Sequence, residues 1–207
     1  MADEKVEKQT ARLEAFSDGV FAIAITLLAL ELKVPHFAAD TGEPTAAALA
    51  KSLAGQWPSY FAFVTSFFTV LVMWVHHHTI FRHVLRADAR LLYANGFLLM
   101  MVTVVPFPTA VVSEYLRTPA SPAACALYAG TFVLIAVGFW LVLTSAFRES
   151  ILDPNTPAAT VKRLRASYRL GPPLYLLAAI AAPVSPWLAM AICTGLWILW
   201  AVTTREC

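Results

Sequence analysis

Three residues that are costly to place in hydrocarbon stand together near the start of this chain. Arg12, Ser17 and Asp18 belong to the run Arg12-x-x-x-Phe16-Ser17-Asp18, which leads directly into an apolar stretch from Gly19 to Leu30. An ionised group there is tolerated only with a partner. Partners on one helix lie three or four residues apart, whereas Arg12 and Asp18 are six apart, so each is expected to bond to another helix. A second polar group, Trp74-Val75-His76-His77-His78, closes the next apolar stretch. Between them these residues offer three chemistries: a proton relay through Asp18 and His77, a Ser17-His77-Asp18 set for nucleophilic attack, and a metal site on the histidines.

The last two are poorly supported. Consecutive helical residues point about 100° apart, so three adjacent histidines cannot face one ion. No Cys or further well-spaced His supplies the separated ligands that a zinc site uses. The Gly-x-Ser-x-Gly elbow of a serine hydrolase is absent, and an aspartyl mechanism needs two carboxylates, whereas Asp18 is the one Asp within an apolar span. We expect neither an enzyme nor a resident metal or cofactor.

The elements that must hold these residues are membrane helices. Of 207 residues, 59% are hydrophobic and 14% charged, against about 45–50% and about 25% in soluble domains. An all-α integral membrane protein follows, a single domain over 1–207 with six spans at roughly 16–34, 57–81, 91–115, 123–147, 168–184 and 186–203. A crossing needs about 20 residues, which the first four meet comfortably and the last two barely. Pro183-Val184-Ser185-Pro186 reads as the turn between those two, because proline cannot continue a helix. Loops 35–56 and 148–167 are too short to bury a core of their own.

Every Lys and Arg except Lys33, Lys51 and Arg117 falls on one side of these spans, including Lys5, Lys8 and Arg205 at the two ends. The positive-inside rule then puts both termini in the cytoplasm, as an even number of spans requires. Arg82, Arg86 and Arg90 form one basic face in the connection between spans two and three, suited to anchoring at the membrane surface. A cleaved signal peptide would begin net positive, but residues 1–14 hold Asp3, Glu4, Glu7 and Glu14 against Lys5, Lys8 and Arg12. A net charge of +2 points to no nucleic-acid partner. Cys125, Cys193 and Cys207 suit neither a disulfide framework nor a Cys-x-x-Cys site.

Two stripes run along the first span. Ala15, Gly19, Ala22, Thr26 and Ala29 make a small-residue face, of the kind that lets membrane helices approach closely. Phe16, Val20, Ile23, Leu27 and Leu30 make a bulky one. Periodicity alone leaves both open as packing or lipid-facing surface.

The opening motif closely resembles the first helix of the transmembrane protein 175 family, lysosomal and prokaryotic potassium channels. Trp74-x-x-His77, Asn95 and Pro106-Phe107-Pro108-Thr109 are similar to that family's Trp-x-x-His, Asn and Pro-Phe-x-Thr, so the resemblance spans about 12–110. It implies that the first helix lines a pore constricted at Ile23, Leu27 and Leu30. It also implies that Arg12, Phe16, Ser17, Asp18, Trp74, His77 and Asn95 form one structural polar network. The chain carries one Phe-Ser-Asp motif, so four copies would be needed to surround the pore: a homotetramer in the plasma membrane, passing potassium.

A ring of aliphatic side chains gates by dewetting but cannot replace an ion's hydration shell. Thr26, the one polar residue between Asp18 and Glu31, is therefore the candidate ion contact, unless its hydroxyl bonds back to the previous turn. Thr-Val-Gly-Tyr-Gly is absent, which excludes the carbonyl-ring filter of ordinary potassium channels. No span carries the regularly spaced arginines of a voltage sensor. The alternative function is a proton-coupled secondary transporter using Asp18 and His77. Transporters usually show internal repeats and broken helices at mid-membrane, and neither is visible in this sequence. Ser17 and Asp18 have a simpler reading too, as caps of a helix end.

Overall fold

A computed structural model describes residues 2–37, 43, 45–148 and 150–203. Arg205 and Cys207 lie outside the described residues, as do the side chains of Lys5 and Lys8. The chain is all-helical: α1 (Ala2–Leu27, extended by a 3-10 turn at Leu28–Glu31), α2 (Ala46–Gly55), α3 (Trp57–Phe81), α4 (Ala89–Val104), α5 (Pro106–Tyr115), α6 (Ser121–Ala146), α7 (Ala158–Ala181) and α8 (Pro186–Thr203).

Among the described residues, five segments are long and apolar enough to cross a membrane: Thr10–Glu31, Trp57–Phe81, Ala89–Tyr115, Ser121–Ala146 and Pro186–Thr203. The expected fifth span is absent from that set. Its helix, α7, is long enough at 24 residues, but Lys162, Arg163, Arg165 and Arg169 dilute the apolarity of its first half. It nonetheless packs lengthwise on α6. Phe139 meets Tyr168 and Phe132 meets Tyr175, at ring separations of 5.9 and 5.6 Å, so α6 and α7 run antiparallel. Trp57 stacks on Trp187 and Phe68 on Trp197, so α8 runs parallel to α3.

The third span breaks where its prolines stand. Pro106 lacks an N–H, so the ladder fails there; Val105 closes α4 with a tight bond from its N–H to the Val102 carbonyl (3.1 Å), and α5 restarts at once. Between the first two spans lies an element the sequence reading missed, α2, capped by Thr45 Oγ1 accepting from the Ala48 N–H. Residues 182–185 form the expected turn before α8.

α6 is the hub, packing on α4, α5, α7 and α8. Gly138 makes this possible: a Cβ there would sit 3.1 Å from the Leu98 Cα of α4, and small residues are what bring membrane helices so close. α1 packs on α3 and α4 at one side of the bundle. The α3–α4 and α6–α7 connections pair through an isolated bridge, Val84 with Leu152. Arg148 reinforces it by donating to Asp88 Oδ2 at 2.7 Å, while Asp88 Oδ1 caps α4 at the Leu91 N–H.

Candidate functional site

α1 carries three faces. The one it buries against its own chain is Ser17, Phe21, Ala24 and Leu28, each no more than 1% exposed. The small-residue stripe faces outward throughout, and the bulky stripe does so except at Val20, which is half-buried against the core. Ile23 is 59% exposed, Leu27 41% and Leu30 71%. A single chain therefore leaves an unbroken apolar face along its first helix. Thr26 is also exposed, and its hydroxyl donates to the Ile23 carbonyl at 2.8 Å. This is the back-bonded arrangement, and it leaves the oxygen's lone pairs turned outward.

The polar residues assemble in two parts. His77 and Asn95 are 1% exposed and Ser17 is fully buried. His77 Nε2 lies 2.9 Å from Asn95 Oδ1, Asn95 Nδ2 donates to Ser17 Oγ at 3.0 Å, and Ser17 Oγ donates to the Leu13 carbonyl at 2.8 Å. The chain has one self-consistent polarity. The Leu13 carbonyl can only accept, which fixes the serine proton, then the asparagine orientation, then the hydrogen on His77 Nε2. Three helices, α1, α3 and α4, are tied by it, and buried polar groups in hydrocarbon demand such pairing. His77 is held in plane between Phe81, stacked at 4.3 Å, and Phe21 at 5.4 Å.

The second part is the bond from Trp74 Nε1 to Asp18 Oδ1, 2.8 Å and exposed. Ser17 and Asp18 are therefore not caps of a helix end. α1 begins well before them, and Ser17 bonds a carbonyl rather than a free N–H. Arg12 and Phe16 do not join either part within the chain. Arg12 is exposed with no hydrogen bond or ion pair to another described residue, and Phe16 is 64% exposed. The reason is helical register: both stand on the same outward line as Ile23, Leu27 and Leu30.

The three histidines separate as their spacing requires. His77 turns to Asn95 and His78 lies against Trp74. His76 Nδ1 lies 2.8 Å from the Tyr168 hydroxyl, and its Nε2 lies 3.2 Å from the Trp200 carbonyl. That link from α3 to α7 and α8 was not foreseen, because nothing in the sequence brings such distant positions together. Asp18 and His77 have Trp74 and Asn95 as hydrogen-bond partners, and Asn95 stands between His77 and Ser17, which leaves neither a direct relay nor a Ser-His dyad.

A family model described as endosomal/lysosomal potassium channel TMEM175 matches residues 12–106, the stretch holding every residue of this site. A protein of Chamaesiphon minutus named as a potassium channel is 46% identical over 99% of this chain and 100% of its own length. The chain belongs to the TMEM175 family. A second relative, named as a potassium channel of Streptomyces collinus, is 44% identical over 86% of each chain. The likeness extends to three dimensions. The crystal structure of a lysosomal potassium-selective channel TMEM175 homologue from Chamaesiphon minutus superposes with a TM-score of 0.84, covering 95% of this chain and 98% of that one. The TMEM175 likeness thus includes the last three helices, where the motifs alone had been silent.

Proposed function

We propose that this chain is a potassium-permeable, potassium-selective channel of the plasma membrane, formed by four copies around a central axis with α1 innermost. The observation that carries this reading is the outward face of α1. A line with no partner among the described residues, from Arg12 through Phe16, Ile23 and Leu27 to Leu30, belongs to a chain that is 46% identical over 99% of its length to a protein named as a potassium channel. With α1 innermost, Ile23, Leu27 and Leu30 each form a ring on the axis that restricts passage by dewetting, and Thr26 offers the nearest side-chain oxygen. The small-residue stripe meets the neighbouring copy, and Arg12 and Asp18 find their further partners across that boundary.

In this arrangement α7 crosses the membrane as a sixth span, supported by its antiparallel register against α6, and both termini are cytoplasmic. A closed cyclic assembly follows from one pore helix per chain.

Reconstitution in liposomes tests the function. Purified protein with a mass of four 22.6-kDa chains should set up a potassium diffusion potential, as an added potassium ionophore does, and release potassium once a protonophore supplies the compensating charge. Potassium exchanged for protons without the protonophore would establish the transporter, and conduction by a monomer or an isolated dimer would overturn the assembly.

A further inference from the structure

α7 divides into two chemistries along one face. Lys162, Arg169, Pro173, Leu176 and Ile180 are all exposed, and at 100° per residue they fall on a single line along the helix. The first two are cationic and the rest apolar. The cationic end is not flat surface. It opens into a shallow groove of about 590 Å³ between α7 and the α6–α7 connection, lined among the described residues by Leu152, Thr156, Lys162, Arg165 and Arg169, with no carboxylate in that described lining. Arg165 is held in place there by donating from Nη2 to the Phe147 carbonyl at 2.8 Å. The nearby Asp153 is occupied in its own turn, accepting from the Asn155 backbone and side chain. The bridge from Val84 to Leu152 brings the connection bearing Arg82 and Arg86 to the same end of the molecule, so the local potential is positive. α7 packs on α6 and α8 whereas α1 packs on α3 and α4, so this face lies away from the pore helix.

We infer that the groove binds the phosphate headgroup of an anionic phospholipid whose acyl chains lie along Leu176, Leu177 and Ile180. The charge of the groove suits a phosphate diester, and basic residues just beyond a span attract anionic lipid. The apolar continuation of the same face is what distinguishes a lipid from a soluble anion. Leu177 and Ile180 are 58% and 62% exposed, and they lie about two to three turns beyond Arg169, where the acyl region of a bound lipid would run. The headgroup then fixes the depth of α7, the helix whose own apolarity is too low to do so.

Native mass spectrometry of the assembled protein in detergent, titrated with phosphatidylglycerol or phosphatidylcholine, tests this without depending on conduction. Phosphatidylglycerol should bind about tenfold more tightly, and Lys162→Gln with Arg169→Gln should remove most of that preference. Lys33→Gln with Lys51→Gln, changing two basic residues far from the groove, should leave it intact. Lys162→Arg should also keep it, which separates loss of charge from loss of structure. Equal binding of the two lipids, or an unchanged preference in the groove variant, would overturn the proposal. Displacement of the lipid by millimolar inorganic phosphate would do so too, by marking a site for soluble anions.

Discussion

Ile23 in the isolated chain is 59% exposed and sits one helical turn from Leu27, a disposition that hydrocarbon and a dry pore would tolerate equally well. Polarity at this position separates the two. Ile23→Asn should hydrate the narrowest ring, raising potassium flux several-fold and weakening discrimination against sodium, because an apolar constriction restricts ions by excluding water. Ala22→Asn, on the neighbouring small-residue stripe, should instead impair assembly, since that stripe depends on close helix approach. Flux and ion-replacement potentials of both reconstituted variants provide the check. Normal conduction in a well-assembled Ile23→Asn would move this face out of the pore. Thr26 contributes an oxygen whose proton is already committed to the Ile23 carbonyl, so it is available to a cation as an acceptor.

Among the helices, α1, α3 and α4 are tied by a single directed chain of hydrogen bonds from His77 through Asn95 to Ser17. Asn95→Leu would strand His77 Nε2 and remove the donor to Ser17, at a cost of about 1–3 kcal/mol for each buried group left unpaired. Melting in detergent should fall accordingly. Adding His77→Phe should recover part of the loss, because Ser17 still bonds the Leu13 carbonyl and removal of both partners is far less costly than removal of one. A melting temperature unmoved by Asn95→Leu would show that the chain of bonds does not hold these helices together. The residues of this anchor were legible in the sequence from their types and their match to a family pattern. Its division into a buried trio and an exposed Asp18–Trp74 pair was not, because the split depends on which way α1 is rotated. The buried face of α1 was missed for the same reason. In a segment apolar all round, Phe21 and Leu28 are no more conspicuous than Ile23 and Leu27, and only the neighbouring helices decide between them. α7 was legible only in its apolar half, as a span at 168–184; its charged first half extends the same helix back to Ala158, through residues that read as part of the 148–167 loop.

At the scale of the whole molecule, one chain leaves most of its first helix uncovered. An apolar stripe, an Arg12 with no partner among the described residues and a small-residue face all point outward from α1, while much of the buried core is gathered around α6. The proposed assembly of four copies with α1 at the centre would cover all three at once. Leu27→Cys tests that arrangement most directly, in a background where Cys207 is replaced by Ser; Cys125 and Cys193 are buried and protected. Potassium flux would be followed while a water-soluble, charged thiol reagent is added. The account expects the introduced thiol to be modified and conduction to fall severely, with the background protein unaffected. Full conduction after complete modification, or a thiol that water never reaches in a conducting assembly, would contradict a pore lined by α1.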